Sequence, residues 1–491
     1  MPHLVRLRPA VHARCAAYAA ACALSAGAAL WSDGNAAILA GAVLVALVCA
    51  PLVVRLRHDP LDPPGIYVTL SAFCYGVMSL SWLGATPPVA APGVAQADVK
   101  SSLILVACGL AAFAVGARVV AGPVRPRPRL SGGDAQPVPV ILGLFGIGVL
   151  GVIIGLRLGA VGFRSNTDVS AAVLPYAQIF QQLSLVGAVA AGALALSAFR
   201  RPSRRLTWLL VALVAVQVMG GFVSGYKQQA LLPVLLVGVA YVSCHARVPW
   251  KAVAVGAAVA VFGLLPATIV YRVVVRPPSA DTSVNVRTPG GLVHKTADYL
   301  EVRFRLIDSV AIIQARTPSM YPFANGRRYT LLPALVTLPR VVWPDKPILN
   351  DGLEFSHSYW EIPPNITTAT PLTQAGDLYR NFGWPGVVIG MAIWGLAAGG
   401  LARLNAERRS PRLELVALVA LVQIVPFIDN DLPQLIAATS RTLMIAGVIA
   451  WLALPGPTGP PGFARVVAAL SRSAPAVRGA GPRQPGPDPE P

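Results

Sequence analysis

Apolar runs of up to about twenty residues recur along this 491-residue chain and are separated by short clusters of Arg, Pro and Gly. A helix needs about 20 mostly apolar residues to cross the hydrocarbon core of a bilayer. Twelve runs approach or meet that length, so the pattern predicts an all-α, polytopic transmembrane bundle of about 12 spans. The predicted spans are 13–31, 35–54, 65–84, 101–117, 138–156, 171–199, 206–222, 229–243, 252–271, 385–404, 413–428 and 432–454.

One long segment interrupts this series between the ninth and tenth spans. It is richer in aromatic residues, Pro, Asp and Arg than the spans are, and its apolar runs are shorter. The chain therefore divides into 1–271 (spans one to nine), 272–384 (one large, partly helical loop), 385–455 (spans ten to twelve) and 456–491 (a Pro-, Gly- and Arg-rich tail). The composition of the tail predicts disorder.

Basic residues alternate between the connections. Lys and Arg near the ends of spans are retained in the cytoplasm. The basic connections hold Arg55, Arg57, Arg118, Arg125, Arg127, Arg129, Arg200, Arg201, Arg204, Arg205, Arg247, Lys251, Arg403, Arg408, Arg409 and Arg412. This pattern predicts a multi-pass protein of the cytoplasmic (inner) membrane, with the large loop outside and both termini in the cytoplasm.

Composition supports a membrane protein and argues against two other classes. The chain is 55% hydrophobic and 12% charged, and its net charge is +19. Much of that charge lies in the span-flanking clusters and the tail, so the lipid bilayer is the predicted partner and no nucleic acid is needed to explain it. All six cysteines fall in predicted spans or at their cytoplasmic edges, which leaves no disulfide framework or metal-binding pair outside.

The large loop carries the candidate chemistry. Residues 296–314 show a helical apolar stripe whose opposite side is charged. Arg305 is spaced to pair with Glu301 and Asp308, and surface ion pairs of that kind compete with a role for Arg305 in binding phosphate. An aromatic turn, YPFANGRRY, follows at 321–329 and holds Arg327 and Arg328.

Two further strings in the loop resemble a known family. They are PRVVWPDKP at 339–347 and GDLYRNFG at 376–383, and a weaker match, SGYK, lies at 224–227. In this order, after a multi-span first half, they resemble the Wzy-type polymerases of O-antigen and oligosaccharide repeat units. The sequence departs from that pattern at Asp377, where Glu is more usual, and at Lys227, where Arg is frequent.

The resemblance implies a glycosyl transfer that needs no cofactor, nucleotide or metal. The growing glycan would leave its polyprenyl diphosphate when a hydroxyl of the next lipid-linked oligosaccharide attacks its anomeric carbon, and a partner protein that sets chain length is left open. Fixed cations would stabilise the leaving diphosphate, and a general base would activate the hydroxyl. The candidate catalytic residues are Asp377, Arg340 and His357, and the candidate diphosphate-binding residues are Lys227, Lys346, Arg380, Arg327, Arg328 and Arg305.

Several of these residues have structural alternatives. Arg340 and Lys346 are close in sequence to Asp345 and Asp351, with which they would form bracing ion pairs. Lys227 would reach water by snorkelling, and His357 would bond only within the loop, with Glu361 as another candidate base. Arg441, inside the last span, would pair with Asp429 or Asp431 on the preceding turn.

Two rival functions follow from the same sequence. A ligase that moves a finished lipid-linked glycan to a terminal acceptor would use the same donor and similar basic residues. A transporter or flippase would instead show internal repeats and broken spans in corresponding positions of its two halves. The off-centre loop and the mostly uncharged spans favour an enzyme. A polyprenyl-phosphate-sugar glycosyltransferase is disfavoured because the first outer loop, 32–34, contains only one acid, Asp33.

Overall fold

The computed structural model describes residues 9–84, 86–87, 90–122, 138–158, 174–224, 227–264, 266–267, 289–338, 342–343, 346, 351–364, 369–407 and 410–455. Within these ranges the regular structure is helical and contains no strand, which confirms the all-α prediction for this part of the chain. The predicted tail, 456–491, lies outside it.

The helices follow the apolar runs of the sequence. They are α1 (Pro9–Trp31), α2 (Gly34–Val53), α3 (Pro63–Ser71), α4 (Gln96–Ala121), α5 (Val138–Arg157), α6 (Leu174–Arg200), α7 (Arg204–Ser224), α8 (Lys227–His245), α9 (Trp250–Ala258), α10 (Pro289–Phe304), α11 (Ile307–Arg316), α12 (Arg327–Thr337), α13 (Asp351–Ser358), α14 (Gln374–Ala406), α15 (Pro411–Ile424) and α16 (Leu432–Ala453). Short 3-10 and π-helical turns extend α2 to Arg57, α3 to Trp82 and α9 to Leu264.

Eight helices in the described ranges are long and apolar enough to cross a membrane. They are Gly34–Arg57, Pro63–Trp82, Gln96–Ala121, Val138–Arg157, Gln182–Arg200, Arg204–Val223, Gln374–Ala406 and Leu432–Ala453. Two shorter apolar helices, Ala16–Trp31 and Ala230–His245, match the first and eighth predicted spans. The chain is therefore a membrane-embedded helical protein. Part of the ninth predicted span lies outside the described residues, and α15 is shorter than the eleventh.

Four of the described helices begin at a polar residue whose side-chain oxygen accepts a hydrogen bond from the backbone N–H three residues later. Such caps satisfy one of the free N–H groups of the first turn. The capping residues are Asp62 for α3, Thr373 for α14, Ser410 for α15 and Asp431 for α16. The last of these caps contributes a carboxylate to the site described below.

The most extensive helix contact in the described structure joins α4 and α14. A Cβ atom on Gly116 would lie 2.1 Å from the carbonyl oxygen of Ala392, and one on Gly395 would lie 2.1 Å from that of Phe113. Small residues allow two backbones to approach in this way in a membrane, where dispersion contacts replace the hydrophobic effect as the cause of association. The glycines therefore fix α14 against α4.

Helix α14 is broken at Gly383, whose φ of +66° favours glycine. The arm formed by residues 374–382 folds back on the arm formed by residues 384–406. A Cβ atom on Gly390 would lie 2.4 Å from a side-chain carbon of Leu378, twelve residues earlier. The predicted tenth span, 385–404, falls within the second arm, and the first arm carries the GDLYRNFG motif.

Helices α10 to α13 lie at one end of the bundle, here named the loop side. Helix α11 packs against α4, where Gln314 Oε1 accepts hydrogen bonds from Ser101 Oγ at 2.9 Å and Ser102 Oγ at 2.5 Å. The single helical stripe predicted for 296–314 is two helices, α10 and α11, divided at Arg305 and Leu306. Arg305 at this break is buried, and the ion pairs described below compensate its charge.

Candidate functional site

Asp377 lies on the first arm of α14, with only 1% of its surface exposed. Its Oδ2 accepts a hydrogen bond from the Tyr329 hydroxyl, and its Oδ1 accepts one from Asn381 Nδ2 at 3.0 Å. A buried carboxylate is strongly destabilised unless it is hydrogen-bonded. Tyr329 and Asn381 therefore hold Asp377 in one orientation at the loop side.

Gly326 places Tyr329 over the first arm of α14. Its φ of +69° is left-handed, and a Cβ atom there would lie 2.5 Å from the ring of Phe382. The Gly326 N–H donates to Asn381 Oδ1 at 3.1 Å, and α12 begins at the next residue. The motif YPFANGRRY thus folds as a glycine turn that ties the loop to the GDLYRNFG motif.

A second buried carboxylate, Asp431, lies close to this pair. Burial, and then the charges of Asp377 and Asp431, raise the pKa of Tyr329 far above its usual value. The phenol therefore stays protonated and donates to Asp377. Burial also raises the pKa of Asp431, against the lowering effects of the Gln434 N–H and the positive charge of Arg328.

Two arginines face these acids. Arg380 Nη2 donates to Glu354 Oε1 at 2.9 Å, and Arg328 Nη2 donates to Glu354 Oε2 at 2.7 Å. Arg328 also pairs with Asp351. The Arg380 side chain is 13% exposed, and its Nη1 atom is buried with no hydrogen-bond partner in the described structure. An unpaired guanidinium nitrogen of this kind is a ready donor to an anion or a sugar oxygen.

Aromatic side chains line the same region. The guanidinium carbon of Arg380 lies 6.0 Å from the ring centroid of Tyr359, which also contacts the rings of Tyr321 and Phe355. The neighbouring indole nitrogen of Trp360 is buried and has no hydrogen-bond partner among the described residues. The site thus combines carboxylates, arginines and aromatic surface, which together suit a ligand with hydroxyls and negative charge.

The structure brings together three of the residues predicted from sequence, namely Asp377, Arg380 and Arg328. Two other predicted residues, His357 and Lys346, bond the backbone instead. His357 Nδ1 bonds the carbonyl oxygen of Ile362 at 2.8 Å, so this ring nitrogen is turned to the backbone. The Lys346 side chain is buried, and its Nζ donates to the carbonyl oxygen of Leu338 at 2.7 Å.

Arg305 and Arg327 occupy opposite environments. Arg327 is exposed at the start of α12. Arg305 is 1% exposed and pairs with Glu301 and Asp308, and the Trp82 indole donates to Asp308 at 2.9 Å. The predicted surface ion pairs of Arg305 are thus formed in a buried position.

Two predicted residues cannot be placed. Arg340 and the side chain of Lys227 lie outside the described residues. Glu361, considered as a base, pairs with Arg316 at 2.6 Å. Within the described residues, no three His, Cys, Asp or Glu side chains are grouped so that they could hold a metal ion.

Sequence reasoning did not assign functional roles to Tyr329, Asn381, Glu354 and Asp431. Tyr329 and Asn381 are inside the quoted motifs, but nothing in a linear string shows that they contact one acid. Asp431 follows a span and precedes Leu432 and Pro433, which is the signal of a helix cap. The cap was visible in sequence; its nearness to Asp377 was not.

Comparison with known proteins places part of the chain in a family model. The model, described as a domain of unknown function (DUF8712), matches residues 154–409, just over half of the chain. The match includes Tyr329, Asp377 and Arg380 and ends before Asp431. No curated protein and no solved structure matches the chain.

Proposed function

The chain belongs to the DUF8712 family, and because that family has no assigned function we propose, from the residues of the site, that the protein polymerises lipid-linked oligosaccharides. The substrate would be a polyprenyl-diphosphate-linked repeat unit, and the reaction would be glycosyl transfer at the membrane surface. The proposed partners are this lipid-linked oligosaccharide and the lipid bilayer. The chemistry needs no metal or nucleotide.

The proposal includes the membrane arrangement expected from the sequence. About twelve spans would place the loop side outside the cytoplasmic membrane and both termini inside. The eight candidate spans and two shorter apolar helices support this arrangement, and so does the alternation of basic connections. Polymerisation at the outer face then requires the site to be on the loop side, where α12, α13 and the first arm of α14 lie.

One observation carries the proposal: a buried acid and a guanidinium with a free nitrogen project from the same short arm of α14. Asp377 and Arg380 are three residues apart on this arm, and Tyr329 bonds the acid. A glycosyl transfer to a hydroxyl needs a proton acceptor on one side of the anomeric carbon and charge stabilisation on the leaving group. The arm supplies both kinds of group.

The proposed step is balanced within these groups. The acceptor oxygen forms a bond to the anomeric carbon while the bond from that carbon to the diphosphate oxygen breaks, and the diphosphate keeps the electron pair. The acceptor proton passes to the Tyr329 oxygen as the Tyr329 proton passes to Asp377. This relay fits an acid that is 1% exposed beneath a partly exposed tyrosine. Arg380, through Nη1, and Arg328 would stabilise the departing diphosphate.

Complementation of a deletion strain tests this function. Surface glycan would be separated by gel after complementation with the wild type, Asp377→Asn, Tyr329→Phe or Arg380→Gln, with membrane levels of each variant measured. Loss of a proton acceptor or of a charge stabiliser typically slows an enzyme by about 10²–10⁴-fold. We expect the deletion to leave single repeat units and these variants to restore little or no ladder.

Arg403→Gln is the matched control for the loss of one positive charge. Arg403 is 62% exposed, on the far part of α14, and pairs with Glu407. This variant should restore the wild-type ladder. A full ladder from Asp377→Asn at normal protein level would refute the proposed chemistry. Long chains that persist in the deletion strain but stay unattached would show instead that the protein is a ligase.

A further inference from the structure

Arg441 lies deep inside α16, a candidate membrane span. It is the tenth residue of Leu432–Ala453, so at 1.5 Å per residue it lies about 13.5 Å along the helix from Leu432. The hydrocarbon core of a bilayer is about 30 Å thick. Arg441 therefore lies near the middle of the span, where an arginine is among the most costly residues to place.

The expected carboxylate partner is missing. In the part of the chain that the structure describes, the Arg441 guanidinium bonds only the carbonyl oxygen of Ala437, from Nε at 3.0 Å, and forms no ion pair. Asp431, predicted as a partner, caps the start of α16 ten residues earlier. Asp429, the other predicted partner, has its pKa raised by burial and lowered in turn by Arg303. Arg441 thus keeps nitrogens that can bind an anion.

The position of Arg441 on α16 gives it access to lipid. Met444, three residues on, is 68% exposed, and Val448, seven residues on, is 57% exposed. Residues at these spacings share a helix face. Arg441 itself is half-buried, so it stands at the border between this lipid-exposed face and the bundle.

We propose that Arg441 binds the phosphate of a membrane lipid whose chains lie against the Met444 face of α16. A guanidinium binds phosphate through paired, charge-assisted hydrogen bonds. The Arg441 side chain bonds Ala437, one turn nearer the start of α16, so it reaches from the middle of the span towards the headgroups, where a lipid phosphate lies. Such a ligand would also offset the cost of the buried cation. The proposal goes beyond the glycosyl transfer and does not depend on it, because the probes below carry no sugar.

Native mass spectrometry of the full-length protein purified in detergent tests the site. The probes are dioleoyl phosphatidylglycerol and farnesyl diphosphate, each added alone and then together. Wild type should bind one probe molecule that Arg441→Gln binds at least about tenfold more weakly. Arg441→Lys should bind at intermediate strength, and the surface control Arg403→Gln should match the wild type. Competition between the probes distinguishes a phospholipid from a prenyl diphosphate as the preferred source.

Equal binding by wild type and Arg441→Gln would overturn the proposal and leave Arg441 solvated by water. A second measurement uses only the wild type, so it tests the proposal even if Arg441→Gln does not fold. Phosphatidylglycerol with a diazirine in its acyl chain should crosslink to the peptide that contains Met444 in wild type. Crosslinks confined to other helices would also overturn the proposal.

Discussion

Replacing Arg305 by methionine removes the positive charge from a buried ion cluster and keeps a long, flexible side chain. In the wild type, Arg305 bonds Asp308 through Nε and Nη2, both at 2.9 Å, and pairs with Glu301. Asp308 is 1% exposed, and its one other side-chain partner in the described structure is the Trp82 indole. The substitution therefore leaves a carboxylate buried without a cation.

Removal of one partner from a buried pair typically costs about 3–5 kcal/mol, mostly because the remaining charge is uncompensated. Arg305 and Asp308 are both 1% exposed, so we expect Arg305→Met to fall in that range. Asp308→Asn in the same chain removes the stranded charge and keeps an oxygen for Trp82. The double variant should therefore recover most of the loss and remain within about 1–2 kcal/mol of the wild type.

The cost should depend on pH. Burial raises the pKa of Asp308, and Arg305 opposes this rise, so the single variant raises that pKa further. A carboxyl whose pKa is higher in the folded state contributes stability that is present below its unfolded pKa and is lost as pH rises through the folded value. The difference in the free energy of unfolding between wild type and Arg305→Met should therefore shrink as the pH falls from about 8 to about 5.

The assay is denaturant unfolding in detergent micelles, followed by tryptophan fluorescence at both pH values for wild type, single variant and double variant. Equal loss in Arg305→Met and Arg305→Met/Asp308→Asn at both pH values would refute the reasoning, since the stranded carboxylate would then not be the cause. The double variant also tests the phosphate-binding role predicted from sequence. If it is stable and supports a full glycan ladder, Arg305 has a structural role alone.

Two further predictions concern glycines, and both are measured by thermal unfolding in the same micelles. Gly395→Ala should lower the unfolding temperature, because the added Cβ atom would lie 2.1 Å from the carbonyl oxygen of Phe113. Gly400→Ala is the control: no atom lies within 4 Å of its Cβ position, so this variant should be neutral or more stable by up to about 1 kcal/mol. Equal effects at the two positions would refute the backbone contact between α4 and α14. Gly326→Ala should cost at least about 1 kcal/mol and shorten the glycan ladder, because its φ is +69° and its Cβ would meet Phe382; an unchanged unfolding temperature would contradict this turn geometry.

Hydropathy predicted most of the helices because a span must be apolar over its whole length. It could not predict the shape of α14. The apolar pattern began the tenth span at residue 385 and left 376–383 in the loop, but the first arm is also helical, and its reversal onto the span depends on the backbone of one residue, Gly383. The following Trp384 and Pro385 mark a boundary in the sequence, but not the angle that brings Leu378 against Gly390.

The sequence predicted those site residues that lie within a recognisable motif. Asp377 and Arg380 came from the GDLYRNFG string, and their spacing on a helix places them within one turn. Tyr329 is 48 residues before Asp377, and only the folded chain brings the two together. Arg305 shows the converse. Its spacing to Glu301 and Asp308 predicted the ion pairs, but sequence gave no measure of the burial that makes them structural.

The glycine contact between α4 and α14 also restricts how the bundle could move. Carriers that work by alternating access rock or slide one group of helices against another. A slide of α14 by one turn, about 5.4 Å, would in one direction bring Met391 to the position where Gly395 now touches the backbone of α4. In the other direction it would bring Arg403 to the position of Gly399, where a Cβ atom would lie 2.5 Å from the carbonyl oxygen of Ala117. These two helices should therefore behave as a fixed wall, and any gate that admits a lipid-borne substrate is expected among the other helices.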